Sequence, residues 1–288
     1  MRSLFKNCYY GLWTPHLLKQ AKEDGAIIGL SYHRFEQKYK NDPRPNMAIV
    51  PETFIAQLEC LMKIGRFISL DDIYEDYSEG IKFVLSFDDG YADNHDILLP
   101  VLERLQIPAS IFAVANYVNG ELQFLPHDAQ SGHWPDALTP AQLKALSAHE
   151  LISIGAHTLN HPILSELSPE EQRTEIIESK KALEELTGAP VKHFAPPSGQ
   201  PADVDWDILV DACFDAGYKT ISSNFGGINI EGKLEQLARA GAHLTHIRRI
   251  PMPVHPGTIT AKGWALGMHN LKERFHPTAH FPHRKAMT

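Results

Sequence analysis

Phe83-Val-Leu-Ser-Phe-Asp-Asp-Gly-Tyr91 is an apolar run that ends on two adjacent carboxylates. Phe83–Phe87 reads as a buried strand. Carboxylates at the end of such a strand are costly to bury unless something pairs with them. Successive side chains of a regular strand point to opposite faces, so Asp88 and Asp89 converge only if the chain leaves the strand sharply. Gly90 allows that turn. In a β/α barrel the C-terminal ends of the strands line the active site, which makes this junction a candidate centre. As a lone pattern it would also fit a solvated turn.

The design recurs downstream. Ile152-Ser-Ile-Gly-Ala156 reads as another buried strand, and it runs into His157-Thr-Leu-Asn-His161-Pro162. Imidazole is a common metal ligand near neutral pH. Two His with three residues between them reach one cation if the loop turns once between them, and Pro162 argues against a continuous helix through this point. One carboxylate and two imidazoles make a three-ligand site with room for water. That is the pattern of an open catalytic zinc site and also of the facial triad of non-haem iron. The second Asp is then left as a base beside the site.

Working outward, short apolar runs alternate with helical patterns. Ile27–Tyr32 is the first run. Phe54, Leu58, Leu61 and Met62 recur at helical spacing after Pro51, and a helix is expected over His95–Leu105. Ser110–Val114 is a strand. Thr139-Pro-Ala-Gln142 and Ser168-Pro-Glu-Glu171 are capping boxes with Pro at the first helical position, and Gly188 closes the second helix. Phe194–Pro196, Lys219–Ser222 and Arg248–Ile250 complete the strands, with a helix over Trp206–Ala216 ending at Gly217. Repeated βα units imply a mainly parallel sheet, and their number favours a barrel. Tyr117–Asp136 is a longer loop with an aromatic and two His, expected as a lid or a groove wall.

The 288 residues, 43% hydrophobic, suffice for one large core. Net charge is −8 and the basic residues are scattered, so no nucleic-acid partner is expected. Cys8, Cys60 and Cys213 are few, odd in number and far apart, which fits thiols without a disulfide framework. No run reaches the ~18 apolar residues of a membrane span, and the N-terminus has no signal-like apolar stretch. A cytoplasmic location is the expectation, and nothing in the sequence specifies an oligomeric state. Pro and His crowd the stretch after Pro251, and the last dozen residues read as a weakly ordered tail.

Ser86-Phe-Asp-Asp-Gly90 and His157-Thr-Leu-Asn-His161-Pro162 together resemble the first two motifs of the polysaccharide deacetylase family, the NodB-homology or carbohydrate esterase family 4 domain. The similarity runs from about Ile27 to Ile250, takes in Ser31-Tyr32-His33, and places Phe194-Ala-Pro-Pro-Ser-Gly199 at the third motif. The resemblance implies a single-domain, distorted (β/α)7 barrel over 27–255, between an extension at 1–26 and a tail at 256–288. It implies Asp88 as general base and Asp89, His157 and His161 as ligands of a divalent metal, Zn2+ above all. It also implies an acetylated carbohydrate, N- or O-linked, as substrate. The third-motif oxyanion donor falls on the Ser198 N–H, since Pro196 and Pro197 cannot donate. An acid His is expected after a Leu in a fifth motif. No clean match exists, and His255 in Arg248-Arg-Ile-Pro-Met-Pro-Val-His255 is the candidate. His33 is a further candidate near the metal, or a structural hydrogen-bonding group. Many members carry, at the position of Ala195, an Arg that pairs with the base. Here the tuning of Asp88 has to come from elsewhere, with the nearby cation expected as its main determinant. An amide hydrolase or deformylase acting on a small substrate, and a carbohydrate-binding pseudoenzyme, are the rival readings on the same fold.

Overall fold

The computed structural model describes residues 15–35, 47–74, 79–128, 134–225, 227–254 and 258–267. Seven parallel strands close on themselves: β1 Ala26–Tyr32, β2 Ile81–Asp89, β3 Ala109–Ala113, β4 Ile152–Ala156, β5 His193–Phe194, β6 Thr220–Ser223 and β7 Ala242–Pro251. Each pairs with the next, and β7 returns to β1 through Gly29–Arg249 and its neighbours. The distorted (β/α)7 barrel expected from the sequence is thus observed. Gly65–Phe67 adds a short parallel strand beside the start of β2.

Strand periodicity sorts the core into two layers. Ile81, Phe83, Leu85 and Phe87 face outward with Ile28 and Leu30 and meet the helices. Phe87 packs there against Tyr32, Phe35 and Phe54, with ring centroids 5.5–5.6 Å from Phe87. The alternate positions Ile27, Val84, Phe112, Ala195 and Ile247 meet in the lumen. Glycine makes room for two of the bulky groups in the lumen. A Cβ at Gly155 would lie 2.5 Å from the Phe112 ring, and one at Gly29 would lie 2.9 Å from Cγ of Arg249. Asp88 continues the inward series of β2, and His157 continues that of β4.

Both expected capping boxes form, Thr139 with Gln142 at the Pro140–Ser147 helix and Ser168 with Glu171 at the Pro169–Thr187 helix. The expected His95–Leu105 helix differs at its start. A wider π-type turn spans Asn94–Leu98 and the α-helix covers Leu99–Leu105, because Pro100 lacks an N–H to give the preceding turn. The last strand is longer than Arg248–Ile250. It runs from Ala242 and forms a hairpin with Glu235–Arg239. Packing also extends past both expected domain ends. A helix over 15–23 buries Leu17 and Ala21, and the Thr258–Ala265 helix buries Ala261 and Ala265. The tail expected over the last dozen residues lies outside the described residues. Cys60 and Cys213 are free thiols. Among the described residues no helix is long and apolar enough to cross a membrane.

Candidate active site

Asp88 and Asp89 are both 1% exposed at the top of β2. They converge because the chain turns one residue earlier than the glycine suggests. Asp89 itself has φ 81°, followed by Gly90 at φ 86°. A left-handed Asp is a strained arrangement that a folded core must hold in place. It breaks the strand alternation, so Asp88 points into the lumen while Asp89 swings to the cavity. Gly90 is required for a second reason, since a Cβ there would meet Val118 at 3.0 Å and Ala113 at 3.3 Å.

The structure brings Asp89, His157 and His161 together, with one ligand atom from each within 4.8 Å of the others. His157 Nε2 lies 3.5 Å from Asp89 Oδ1 and His161 Nε2 lies 3.2 Å from it. His157 Nδ1 is 2.6 Å from the Ala195 carbonyl, which can only accept, so the ring proton sits on Nδ1 and Nε2 turns its lone pair to Asp89. Such a backing bond is what orients a metal-ligating imidazole. Burial pushes His157 down to about 4, which keeps it neutral and fit to ligate. Neither oxygen of Asp89 accepts a hydrogen bond of good geometry. A buried carboxylate without donors, facing two imidazole nitrogens, is matched to a divalent cation, so the residues present fit the expected metal.

The His157–His161 loop turns through left-handed residues at Thr158 (φ 68°) and His161 (φ 60°). Glu175, on the Pro169–Thr187 helix, holds this turn. Its Oε2 accepts from the Leu159 and Asn160 N–H groups, each at 2.9 Å, and its Oε1 accepts from Asn160 Nδ2 at 2.7 Å. The Thr158 and Leu159 carbonyls accept from Ala115 and Asn116 N–H.

Asp88 is held differently from the expectation. Arg249, 2% exposed on β7, donates from both terminal nitrogens: Nη1 to Oδ1 at 2.6 Å and Nη2 to Oδ2 at 3.0 Å. Nη1 also donates to Ser86 Oγ, and the guanidinium lies 5.0 Å from the centroid of the Phe112 ring. Burial opposes ionisation of Asp88, yet Arg249, with smaller help from His157 and His33, holds its carboxyl below the usual range. Asp88 thus has a fixed positive partner besides the cation expected near it. That partner is a protein arginine, which comes from the last strand and not from the third motif.

Ser198, with φ 60°, lines the cavity. Its hydroxyl donates to Asp203 and its carbonyl accepts from Asn224 Nδ2. Its N–H donates to no other group among the described residues. His33 also lines the cavity. His255 lies outside the described residues. Sequence reading missed Arg249, Glu175 and His127. The last comes from the long 117–136 loop, whose two His were a signal left unused. Its Nε2 is 3.7 Å from Asp89 Oδ2 and 3.0 Å from the Tyr91 hydroxyl, which donates to Asp128. The cavity over these groups is about 680 Å3, open to solvent, with Pro162, Ile163 and Leu167 as an apolar wall.

The polysaccharide deacetylase family profile matches residues 77–222, just over half of the chain. YxkH of Bacillus subtilis, named as a polysaccharide deacetylase, is 33% identical over 103 residues, 36% of this chain and 32% of that protein. The match thus spans about a third of that relative's length. Among solved structures, the deacetylase PplD of Streptococcus pyogenes in complex with acetate superposes with a TM-score of 0.60 at 21% identity, over 80% of this chain and 99% of that one. IcaB of Ammonifex degensii gives 0.65 at 20% identity, over 84% and 98%. At these identities the superpositions speak for the fold. With the sequence profile, they establish that this chain belongs to the polysaccharide deacetylase family.

Proposed function

We propose that the chain hydrolyses acetyl groups from a carbohydrate at a divalent cation, Zn2+ above all, held by Asp89, His157 and His161. The observation that carries this reading is the pairing of two buried carboxylates with opposite surroundings. Asp88 is saturated by Arg249, while Asp89 has no donor and faces two imidazoles. A cation there would polarise the acetyl carbonyl and acidify water.

The chain's own groups account for the rest. Asp88, kept ionised by Arg249, accepts the proton of the attacking water. The Ser198 N–H donates to the oxygen that becomes negative in the tetrahedral state. As the carbon–nitrogen bond breaks, Asp88 returns the proton to the leaving nitrogen, so the products are an amine and acetic acid. For an O-acetyl group the same proton goes to the leaving oxygen. The open cavity suits a glycan better than the closed pocket a small amide would need.

The test separates the two carboxylates. Asp88→Asn should lose turnover by roughly 10²–10⁴-fold while still binding metal. Asp89→Asn should lose metal, with activity partly restored by excess Zn2+. Elemental analysis and acetate release from acetylated sugars read both. The roles are reversed if Asp88→Asn empties the site and Asp89→Asn stays loaded. Wild-type turnover in both variants would end the hydrolase reading.

A further inference from the structure

The turn that carries the Ser198 N–H is wound in an unfavourable hand. Gly199 N–H donates to the Pro197 carbonyl at 2.6 Å, which makes Ser198 the centre of a γ-turn, and Ser198 has φ 60°. A γ-turn with positive φ at its centre is rare and strained. A residue with a side chain keeps such a conformation only where its surroundings over-determine it. The bond that closes the turn uses neither the N–H nor the carbonyl of Ser198. The carbonyl therefore needs a partner of its own, and the N–H is left for the cavity.

Asn224 supplies that partner. It directly follows β6, is half-buried and lines the same cavity. Its Nδ2 donates to the Ser198 carbonyl at 3.3 Å, and its Oδ1 accepts from Ser31 Oγ at 3.1 Å. A backbone carbonyl can only accept, so the amide is fixed with its nitrogen toward the turn. Backbone bonds join the same two segments. Asn224 N–H donates to the Gly199 carbonyl at 3.1 Å, and Gln200 Nε2 donates to the Asn224 carbonyl at 2.6 Å. A Cβ at Gly199 would lie 2.8 Å from the Asn224 nitrogen, so the turn rests directly on the end of β6. From the other side, Asp203 accepts from the Ser198 hydroxyl. Ser31 is 1% exposed on β1, in the early Ser31-Tyr32-His33 stretch. None of these bonds involves Asp88, Asp89, His157 or His161.

We infer that Asn224 is a positioning residue for the oxyanion. Oriented by Ser31, it holds Ser198 in the left-handed turn that presents the Ser198 N–H to the cavity. This rests on the deacetylase reading, in which that N–H donates to the oxygen of the tetrahedral state. A donor set in place before charge develops lowers the barrier without tightening substrate binding. The contribution of Asn224 therefore belongs in kcat and not in KM.

The experiment compares wild type with Asn224→Ala and with the nearly isosteric Asn224→Asp, whose carboxylate cannot donate to the Ser198 carbonyl. Acetate release is followed from N-acetylglucosamine, its β-1,4 oligomers and O-acetylated xylan. In both variants kcat should fall roughly 10–100-fold, less than the 10²–10³-fold that removal of an oxyanion donor costs. KM and Zn2+ affinity, by competition with a chromophoric chelator, should stay near wild type. Inhibition by a methylphosphonamidate of glucosamine, a tetrahedral mimic, should weaken in parallel with kcat. Ser31→Ala should lose less, and Ser31→Ala/Asn224→Ala should lose no more than Asn224→Ala alone, because both act through one amide. Wild-type kcat in Asn224→Asp, additive losses in the double variant, or a matching fall in Zn2+ affinity overturns the inference. Asn224→Asp and Ser31→Ala carry the test if Asn224→Ala fails to fold. If wild type itself releases no acetate from any of these sugars, the deacetylase reading falls and this inference falls with it.

Discussion

Replacing Arg249 by Met tests the ion pair that the structure puts beneath the cavity, between Arg249 and Asp88. Met fills much of the same stem volume but removes two N–H bonds to Asp88, at 2.6 and 3.0 Å, and one to Ser86 at 2.9 Å. Both partners are almost wholly buried, so solvent cannot take over. Breaking such a pair on one side leaves an uncompensated charge and costs about 3–5 kcal/mol. Two lost bonds to a charged group, at roughly 1.5–3 kcal/mol each, give a similar figure. Asp88→Asn/Arg249→Met should therefore be more stable than the sum of the single variants implies, with a coupling of about 2–3 kcal/mol. The measurement is urea unfolding at pH 7 with a chelator present, so that bound metal adds nothing by mass action. Arg249→Lys should not restore turnover fully, because an ammonium lacks the fork that grips both oxygens. A cost below about 1 kcal/mol for Arg249→Met, or additive losses in the double variant, would refute the reasoning.

Three further outcomes follow from other parts of the site and its support. Glu175→Ala releases two backbone N–H groups of the ligand loop, and Zn2+ affinity by competition with a chromophoric chelator should fall roughly 10–100-fold, as for other groups that orient ligands. Gly155→Ala sets a methyl 2.5 Å from the Phe112 ring, and thermal or urea unfolding should show a loss of about 1–3 kcal/mol from overpacking. Asp93 is raised by burial to about 7, against the bond it accepts from Phe35 N–H. The folded state therefore keeps a proton that the unfolded chain has lost, and stability from this group declines as pH rises from about 4 to 7, by up to roughly 4 kcal/mol. Asp93→Asn should flatten that slope in unfolding experiments across this range, and an unchanged slope would count against the assignment.

Reading the chain alone recovered those features whose cause is local. The strands that end at Asp89 and Ala156 are short apolar runs followed by polar residues, and both capping boxes are four-residue patterns; all were legible. The hairpin Glu235–Arg239 with Ala242–Pro251 was not. It turns through Ala240 at φ 49° and Gly241 at φ 83°, where the sequence offers Ala-Gly in place of the usual Asn-Gly signal. Asp89 carries the left-handed turn that Gly90 advertised, because lumen packing and the cavity overrule local preference there. His127 and Glu175 act on the site from a loop and from a helix face; the two His of the long loop were a faint signal for the first, and Glu175 bears no pattern in its own neighbourhood.

Arg249 shows why the most consequential residue was the hardest to read. Asp88 and Arg249 are 161 positions apart, and their meeting depends on barrel closure through the β7–β1 register that sets Arg249 beside Gly29. A closed barrel shares one lumen among all its strands, so a cation for Asp88 can enter from any strand whose inward position lies at the right height. Ala195 on the β5 side leaves the lumen unfilled by a long side chain, and Gly29 clears the path for the stem that comes from β7. What the site requires is one fixed positive charge against the buried Asp88, not an arginine at a given place in a motif. The charge that Ala195 does not supply is thus supplied in space by Arg249, where a linear motif comparison does not look.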